Sequence, residues 1–330
     1  MDVLVLGATG FIGGHIARAA LAQGWRVRAL RRRPDAVGAI GDIAHQIEWV
    51  QGELPFQTSE VWEDLGGLRE TMRGCEVVFH AAAAYPRVER DIAGWVSQSA
   101  RQMRAVLQAT RDAQVRRFVY TSTLTTIGPS DEPGRLADEG DFYVPGALRS
   151  AYYEAKFAME MEAWRAAAEG LPVVILNPTA VFGPGDVKPT TGEILLRVAK
   201  GQVPVYFDAI INAVDVRDVA LAHVAAAGSG RTTARYILGG HNLSLQELLT
   251  TTARVANVPS PRWRLSTRLV DWLLAAGDVV RLPVPDLAKG IRLWQPLNCK
   301  KAQGELGLRP RPFEETARDT IHWFREHRYL

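Results

Sequence analysis

Residues 7–13 read GATGFIG, and this run of three glycines decides the fold. It follows a short apolar run at residues 3–6 and precedes a helical pattern over residues 13–23, which ends at Gly24. Glycines at such a turn let the backbone approach a dinucleotide pyrophosphate, and the next helix N-terminus offers free N–H groups and a positive dipole end. No Gly-Lys-Ser or Gly-Lys-Thr follows, so the loop is not a P-loop. The sequence therefore predicts a dinucleotide site at the first βα turn.

The rest of the first half alternates short apolar runs with helical patterns. We predict strands at residues 3–6, 25–31, 47–51, 77–82, 117–122 and 173–176, and helices at residues 13–23, 95–113 and 151–169. Strands that alternate with helices form βαβ units, and nearly continuous apolar strands suit a sheet that is covered on both faces. The predicted fold class is α/β, a Rossmann-type doubly wound parallel sheet with a smaller α/β C-terminal substrate lobe.

The pattern changes after about residue 177, where prolines and glycines cluster over residues 178–192. We predict a Rossmann domain over residues 1–176, with residues 213–228 and 313–327 packing back on it. Residues 177–312 are predicted to form a discontinuous substrate-binding lobe that is rich in helices, with short strands such as residues 235–238.

Composition excludes several classes of function. The 330 residues carry 39 Lys and Arg against 36 Asp and Glu, a balance that does not favour nucleic acid or an anionic membrane as a partner. Cys75 and Cys299 lie outside any ligand-spaced cluster, so no metal site is predicted. No apolar run reaches about 18 residues, so no membrane span is expected. We expect a cytoplasmic protein.

Three arginines, Arg31, Arg32 and Arg33, end the second predicted strand. A site that prefers NAD places Asp or Glu here, to bind the ribose 2′-hydroxyl. A carboxylate repels the 2′-phosphate of NADP, whereas a guanidinium pairs with it. The sequence therefore predicts NADP(H) rather than NAD(H), with Arg32 as the first candidate for the phosphate contact and Arg31 as the second.

Several motifs together resemble the extended short-chain dehydrogenase/reductases, in the NAD-dependent epimerase/dehydratase superfamily. They are GATGFIG at 7–13, FHAAA at 79–83, YTST at 120–123, YYEAK at 152–156, NPTAVFGPGD at 177–186 and VDVRDVA at 214–220. The resemblance covers essentially the whole chain and is greatest to the dihydroflavonol-4-reductase-like branch. The stretch GPGDVKPTTG at 183–192 is also similar to hopanoid-associated sugar epimerases.

The resemblance implies a set of cofactor contacts by motif position. The pyrophosphate would meet the glycine loop, and Arg32 would meet the 2′-phosphate. Glu53 stands where the family has Asp beside the adenine. The implied cofactor-binding residues are Gly7, Gly10, Phe11, Ile12, Gly13, Arg31, Arg32, Glu53, Leu54, Ala81, Ala82, Ala83, Thr121, Tyr152, Lys156, Pro178, Thr179 and Val181. The resemblance also implies a homodimer through the helices at 95–113 and 151–169.

The stretch YYEAK supplies the predicted chemistry. Tyr152 and Lys156 are four residues apart and share a helix face, while Tyr153 is three from the lysine. A tyrosine has a pKa near ~10, and a neighbouring ammonium lowers it towards the range where it exchanges a proton at neutral pH. Thr123, where the family often has Ser, can hydrogen-bond the substrate oxygen. We therefore predict Thr123, Tyr152 and Lys156 as the catalytic set, with Tyr153 in packing.

Two alternatives stay open from the sequence. An NADPH-dependent reductase of ketones or aldehydes and a sugar-nucleotide epimerase or dehydratase use the same catalytic set, and a redox-sensing regulator is the third hypothesis. Ser99 stands near the position of a family Asn that helps to hold the lysine. The candidate residues for a small carbonyl or alcohol substrate are Tyr85, Thr123, Thr125, Asn177, Lys188 and Tyr206.

Overall fold

A computed structural model describes residues 1–54, 65–82, 91–266, 268–270, 272 and 294–330 of the chain. Nine helices have defined bounds within these ranges: α1 Phe11–Ala22, α2 Leu65–Met72, α3 Ile92–Asp112, α4 Ala151–Ala168, α5 Glu193–Ala199, α6 Val216–Gly228, α7 Leu245–Ala256, α8 Lys300–Glu305 and α9 Phe313–Glu326. None of the described helices is both long enough and apolar enough to cross a bilayer. The same residues contain no group of three or more His, Cys, Asp or Glu placed to hold a metal ion.

The main sheet has seven strands, in the order β10-β6-β5-β4-β1-β2-β3. Its strands are β1 Asp2–Leu6, β2 Arg26–Arg31, β3 Ile47–Gln51, β4 Val77–His80, β5 Arg117–Thr121, β6 Val173–Pro178 and β10 Ala234–Leu238. Every neighbouring pair in this sheet is parallel. The Rossmann-type parallel sheet predicted from the sequence is confirmed.

Both faces of this sheet are covered by helices, as its apolar strands require. Alternation along β1 places Val3 and Val5 in one core, with α1 and α6, and Leu4 and Leu6 in the other, with α3 and α4. The strand predicted at residues 235–238 was expected in the substrate lobe, but it lies in β10, which pairs with β6 in the main sheet. Its residues are all buried, because a helical layer covers one side and the segment around Ile127 and Ala137 covers the other.

Away from the main sheet and its two cores lies a further one, called the second core below, which is formed by β7 Ala180–Phe182, β8 Val205–Phe207, β9 Ile210–Asp215, β11 His241–Ser244, α5, α7 and α9. The strand β12 Trp263–Leu265 pairs with β8. We expected the C-terminal helix to pack back on the first lobe, as α6 does, but α9 packs in this second core. Its apolar face, which includes Phe313, Ile321 and Phe324, meets Phe182 and residues of α5 and α7. Because α5 and α7 cover the apolar face of α9, that face does not pack on the Rossmann domain.

The carboxyl ends of the central strands meet at one edge of the sheet, which is where ligands bind in open α/β folds. The glycine loop follows β1, and Ala81 and Ala82 follow β4. The segment 122–126 follows β5, and β6 ends at Pro178. The fold therefore collects most of the predicted site residues along this edge.

Candidate active site

The glycine loop is folded so tightly that side chains are excluded at two positions. Gly7 has a φ of +95°, and a Cβ there would lie 2.7 Å from the Ala82 backbone nitrogen. A Cβ on Gly13 would overlap the carbonyl oxygen of Gly7. Gly10 is the N-cap of α1 and has no side chain to accept hydrogen bonds from the first turn, which includes Phe11 and Ile12. The loop thus presents a bare helix N-terminus beside the end of β4.

The three arginines after β2 have different surroundings. The guanidinium of Arg31 lies 4.9 Å from the centre of the Trp49 ring. Arg32 is 75% exposed and its Nη1 lies 3.4 Å from Oε1 of Glu53. Arg33 lies near Asp35. Of the three arginines, Arg32 is therefore the one that lies beside Glu53, the residue predicted to be next to the adenine. Leu54 packs against the core that contains α3 and α4.

Helix α4 carries the Tyr-x-x-x-Lys motif and begins after Ser150, whose hydroxyl accepts a hydrogen bond from the Tyr153 amide at 3.4 Å. Tyr153 is 5% exposed, and its ring packs 5.7 Å from the ring of Tyr143. Tyr152 is only half-buried. The helix start thus places Tyr153 in the protein interior and leaves Tyr152 accessible.

Lys156 is buried at the end of β5. Its Nζ donates to the carbonyl oxygen of Thr121 at 3.5 Å and lies 5.6 Å from the centre of the Tyr120 ring. Burial lowers the pKa of Lys156 to about 8, and the carboxylate of Glu160, one turn further along α4, opposes that shift. The lysine therefore keeps its proton at neutral pH, although little water solvates its charge.

Thr123 follows β5 and caps a short 3-10 turn at Leu124–Thr126. Its hydroxyl accepts a hydrogen bond from the Thr125 amide at 3.4 Å. The buried hydroxyl of Thr125 has no hydrogen-bond partner in the part of the chain that the structure describes. The turn thus carries three threonine hydroxyl groups, and of these the Thr125 hydroxyl is unused by the protein residues described.

Thr121, predicted as a cofactor-binding residue, contacts Lys156 through its main-chain carbonyl oxygen, while its side chain points to His223. His223 Nδ1 donates to the Val219 carbonyl at 2.8 Å, so its Nε2 accepts the hydrogen bond from the Thr121 hydroxyl at 2.9 Å. Burial lowers the pKa of His223 to about 4, which keeps the ring neutral. The Thr121 hydroxyl is therefore hydrogen-bonded to His223 on α6, and the Thr121 group that contacts Lys156 is the main-chain carbonyl oxygen.

Asn177, predicted as a substrate residue, is fully buried behind the site. Its Nδ2 lies 3.2 Å from the Thr123 carbonyl oxygen, 2.9 Å from Oγ1 of Thr126 and 2.9 Å from Oε2 of Glu160. Its amide nitrogen is used inside the protein and fixes the turn that carries Thr123, while its buried Oδ1 has no hydrogen-bond partner among the described residues.

The remaining predicted residues are spread more widely. Ala81 and Ala82 lie against Gly7, and the Thr179 amide, after Pro178, donates to the Leu238 carbonyl at 3.2 Å. Val181 is buried in the core that contains α1 and α6, Lys188 is exposed, Tyr206 packs at the second core and Ser99 is buried on α3. Ala83 and Tyr85 lie outside the described residues.

A buried polar cluster lies behind Thr123, and all of its members except Asn177 were missed from the sequence. It consists of Ser122, Thr126, Glu160, Asn177 and Arg235. Glu160 follows Lys156 by four residues, so the helical spacing that joins Tyr152 to Lys156 could have found it. Arg235 lies 75 positions from Glu160, and no local pattern marks it.

The arrangement fits a nicotinamide dinucleotide. The glycine cradle, which a Cβ would fill, suits a pyrophosphate. The buried Lys156 ammonium and the Thr123 hydroxyl lie at the carboxyl end of β5, the edge where a nicotinamide would end, and Tyr152 stands one helical turn before Lys156 on α4.

Comparison with known proteins agrees with this geometry. A sequence model described as the NAD dependent epimerase/dehydratase family matches residues 3–239. A Synechocystis sp. protein named "Putative dihydroflavonol 4-reductase" is 34% identical, covering 99% of this chain and 95% of that protein. Cinnamoyl-CoA reductase 1 of Petunia hybrida is 30% identical over 71% of each chain. The crystal structure of a nucleoside-diphosphate-sugar epimerase from Pseudomonas aeruginosa superposes with a TM-score of 0.82 at 28% identity, covering 100% of this chain and 99% of that one.

Proposed function

Because the chain belongs to the NAD dependent epimerase/dehydratase family, we propose that it is an NADP(H)-dependent oxidoreductase that reduces a ketone or aldehyde, or oxidises the corresponding alcohol. The observation that carries the proposal is the end of β2. Arginines stand there in place of the ribose-binding carboxylate, and Arg32 is exposed beside Glu53. An exchangeable NADP(H) suits net reduction, and relatives named as reductases support the same choice. We propose that the enzyme works on a small molecule in the cytoplasm, as a homodimer through α3 and α4.

Three side chains divide the proposed chemistry. Bound at this edge, the nicotinamide supplies a hydride in reduction and accepts one in oxidation. The Thr123 hydroxyl donates a hydrogen bond to the substrate oxygen, and the Tyr152 hydroxyl gives that oxygen its proton. The Lys156 ammonium, held by the Thr121 carbonyl, favours the ionised form of Tyr152 by charge, and its burial strengthens that effect.

Consumption of NADPH tests this proposal directly. Purified protein is incubated with NADPH and a panel of ketones and aldehydes, and the nicotinamide absorbance is followed. We expect steady loss of NADPH with at least one member of the panel, and slower loss of NADH. No loss with any carbonyl, together with interconversion of a nucleotide sugar by tightly held cofactor, would refute it.

The alternative is a sugar-nucleotide epimerase or dehydratase that oxidises its substrate transiently. It is favoured by the likeness of the whole chain to the Pseudomonas aeruginosa epimerase structure. Such an enzyme regenerates its cofactor in each turnover, so it gains nothing from exchangeable NADPH. Retention of the cofactor through purification therefore separates the two hypotheses.

Arg32→Ala is expected to raise KM for NADPH by about 10- to 100-fold and to change KM for NADH little. A charge-assisted contact with a phosphate contributes about 1.5–3 kcal/mol, and each 1.4 kcal/mol is about tenfold. Arg33→Ala is the matched control, because that arginine is also exposed and lies near Asp35. Steady-state kinetics with both cofactors gives the comparison. An equal loss with NADPH and NADH would show that Arg32 does not read the 2′-phosphate.

A further inference from the structure

A buried ion pair, Glu160 with Arg235, lies directly behind the turn that carries Thr123. We infer that this pair is a positioning device for the Thr123 hydroxyl, and that it sets the rate of the chemical step without touching substrate or cofactor. The inference rests on the proposed use of Thr123 to bind the substrate oxygen. The Glu160 side chain is 0% exposed and that of Arg235 is 1% exposed, so the two residues do not form a surface ion pair.

Glu160 is the centre of the cluster. Its Oε2 accepts hydrogen bonds from the Ser122 hydroxyl at 2.5 Å, the Thr126 hydroxyl at 2.6 Å and the Asn177 amide at 2.9 Å. Ser122 and Thr126 flank Thr123 on the short turn after β5. One carboxylate oxygen therefore holds both ends of that turn.

The turn is also fixed through its main chain. The amide of Asn177 donates to the carbonyl oxygen of Thr123 itself, at 3.2 Å. The Thr126 hydroxyl also lies 2.9 Å from the same carbonyl. The backbone at Thr123 is thus restrained by Thr126 and Asn177, which are both hydrogen-bonded to Glu160.

Arg235 supplies the second half of the device. Its Nη1 donates to Oε1 of Glu160 at 3.0 Å, which leaves Oε2 for the turn. Its other nitrogens donate to the carbonyl oxygens of Glu139 and Asp141, both at 2.8 Å, and its guanidinium stacks 3.7 Å from the centre of the Phe142 ring. The pair therefore joins α4 and β10 to β6, to the turn after β5 and to the segment before α4.

Stability alone is a weak reason for such a pair. Desolvating two charges costs several kcal/mol, and well-packed apolar residues of similar volume often give an equal or more stable fold. The ion pair instead fixes geometry, because four hydrogen-bond donors meet at the Glu160 carboxylate and each bond has a preferred direction. Because Lys156 and Glu160 lie one turn apart on α4, the same helix aligns the lysine and the Thr123 turn.

A double-mutant cycle with Thr123 tests the inference. Glu160→Asp keeps the charge but shortens the side chain, and we expect kcat to fall about 10- to 100-fold, because a misplacement of ~1 Å costs about that much. Thr123→Ala is expected to cost about 100-fold. If Glu160 acts through Thr123, the double variant loses no more than Thr123→Ala alone. The affinity for NADPH and KM are expected to stay within about threefold of wild type in Glu160→Asp.

Glu162→Gln is the matched control, since Glu162 lies on the same helix, is nearly buried and pairs with Arg104 and Arg165 away from the turn. Where Glu160→Asp does not fold, Arg235→Lys takes its place in the cycle. Losses in kcat that multiply in the double variant, or wild-type kcat in a folded Glu160→Asp, would overturn the inference. Absence of NADPH consumption by the wild type is a different result. It refutes the proposed reductase, and the same cycle then runs on nucleotide-sugar interconversion.

Discussion

Tyr152→Phe is expected to lower kcat by about 10²- to 10⁴-fold, the range that a positioned general acid contributes. The change removes only the hydroxyl from a half-buried side chain that shares a helix face with Lys156. The glycine loop and the end of β2 are untouched, so the affinity for NADPH is expected to stay within about twofold. Turnover with the best carbonyl of the panel and a fluorescence titration with NADPH measure the two quantities separately.

Tyr153→Phe is the control for that result, because it is the same substitution one position along α4. Tyr153 is buried against the Tyr143 ring, and its loss of a hydroxyl is expected to change kcat by less than about tenfold. If Tyr153→Phe were the inactive variant and Tyr152→Phe the active one, the assignment of the acid would be wrong. The i to i+4 spacing would then have misled, and the i to i+3 pair would hold the chemistry.

Local rules account for what the sequence predicted well. The glycine loop was recognisable because Gly7 and Gly13 occupy positions where a Cβ would meet main-chain atoms. A Cβ on Gly13 would meet the main chain of Gly7 and Ala8, and a Cβ on Gly7 would meet the main chain just after β4. The apolar strands were recognisable because a doubly covered sheet needs nearly continuous apolar runs. Both patterns depend on neighbours in sequence or on the general form of the sheet, so the order of the residues is enough to reveal them.

Contacts across the fold account for what it predicted poorly. The face of α9 was visible in the sequence, but a face does not name its partner, and the helix packs in the second core. Arg235 stood in a short apolar run that gave no sign of a buried charge, because its partner Glu160 comes from another layer. Asn177 and Thr121 lie at the carboxyl ends of β6 and β5, but their side chains are used by the Thr123 turn and by His223.

The glycine cradle gives the other large effect. Gly13→Ala is expected to raise the dissociation constant of NADPH by about 100-fold or more and to lower the free energy of unfolding by roughly 1–3 kcal/mol, as overpacking does. The new Cβ would overlap the Gly7 carbonyl oxygen and lie 2.6 Å from its carbon and 3.1 Å from the Ala8 nitrogen. These are main-chain atoms, so no side chain can rotate away and the loop itself must open.

Gly228→Ala is the control for the loop, because Gly228 ends α6 and its Cβ would meet no described atom within 4 Å beyond its chain neighbours and the backbone of its own helix. Alanine is favoured over glycine in helices by up to about 1 kcal/mol, so this variant is expected to be at least as stable as wild type and to bind NADPH normally. Fluorescence titration and thermal unfolding of both variants give the comparison. A folded Gly13→Ala protein that binds NADPH within threefold of wild type would mean that the pyrophosphate does not approach this loop. The close contact between Gly7 and Gly13 would then serve only the packing of α1 against β1.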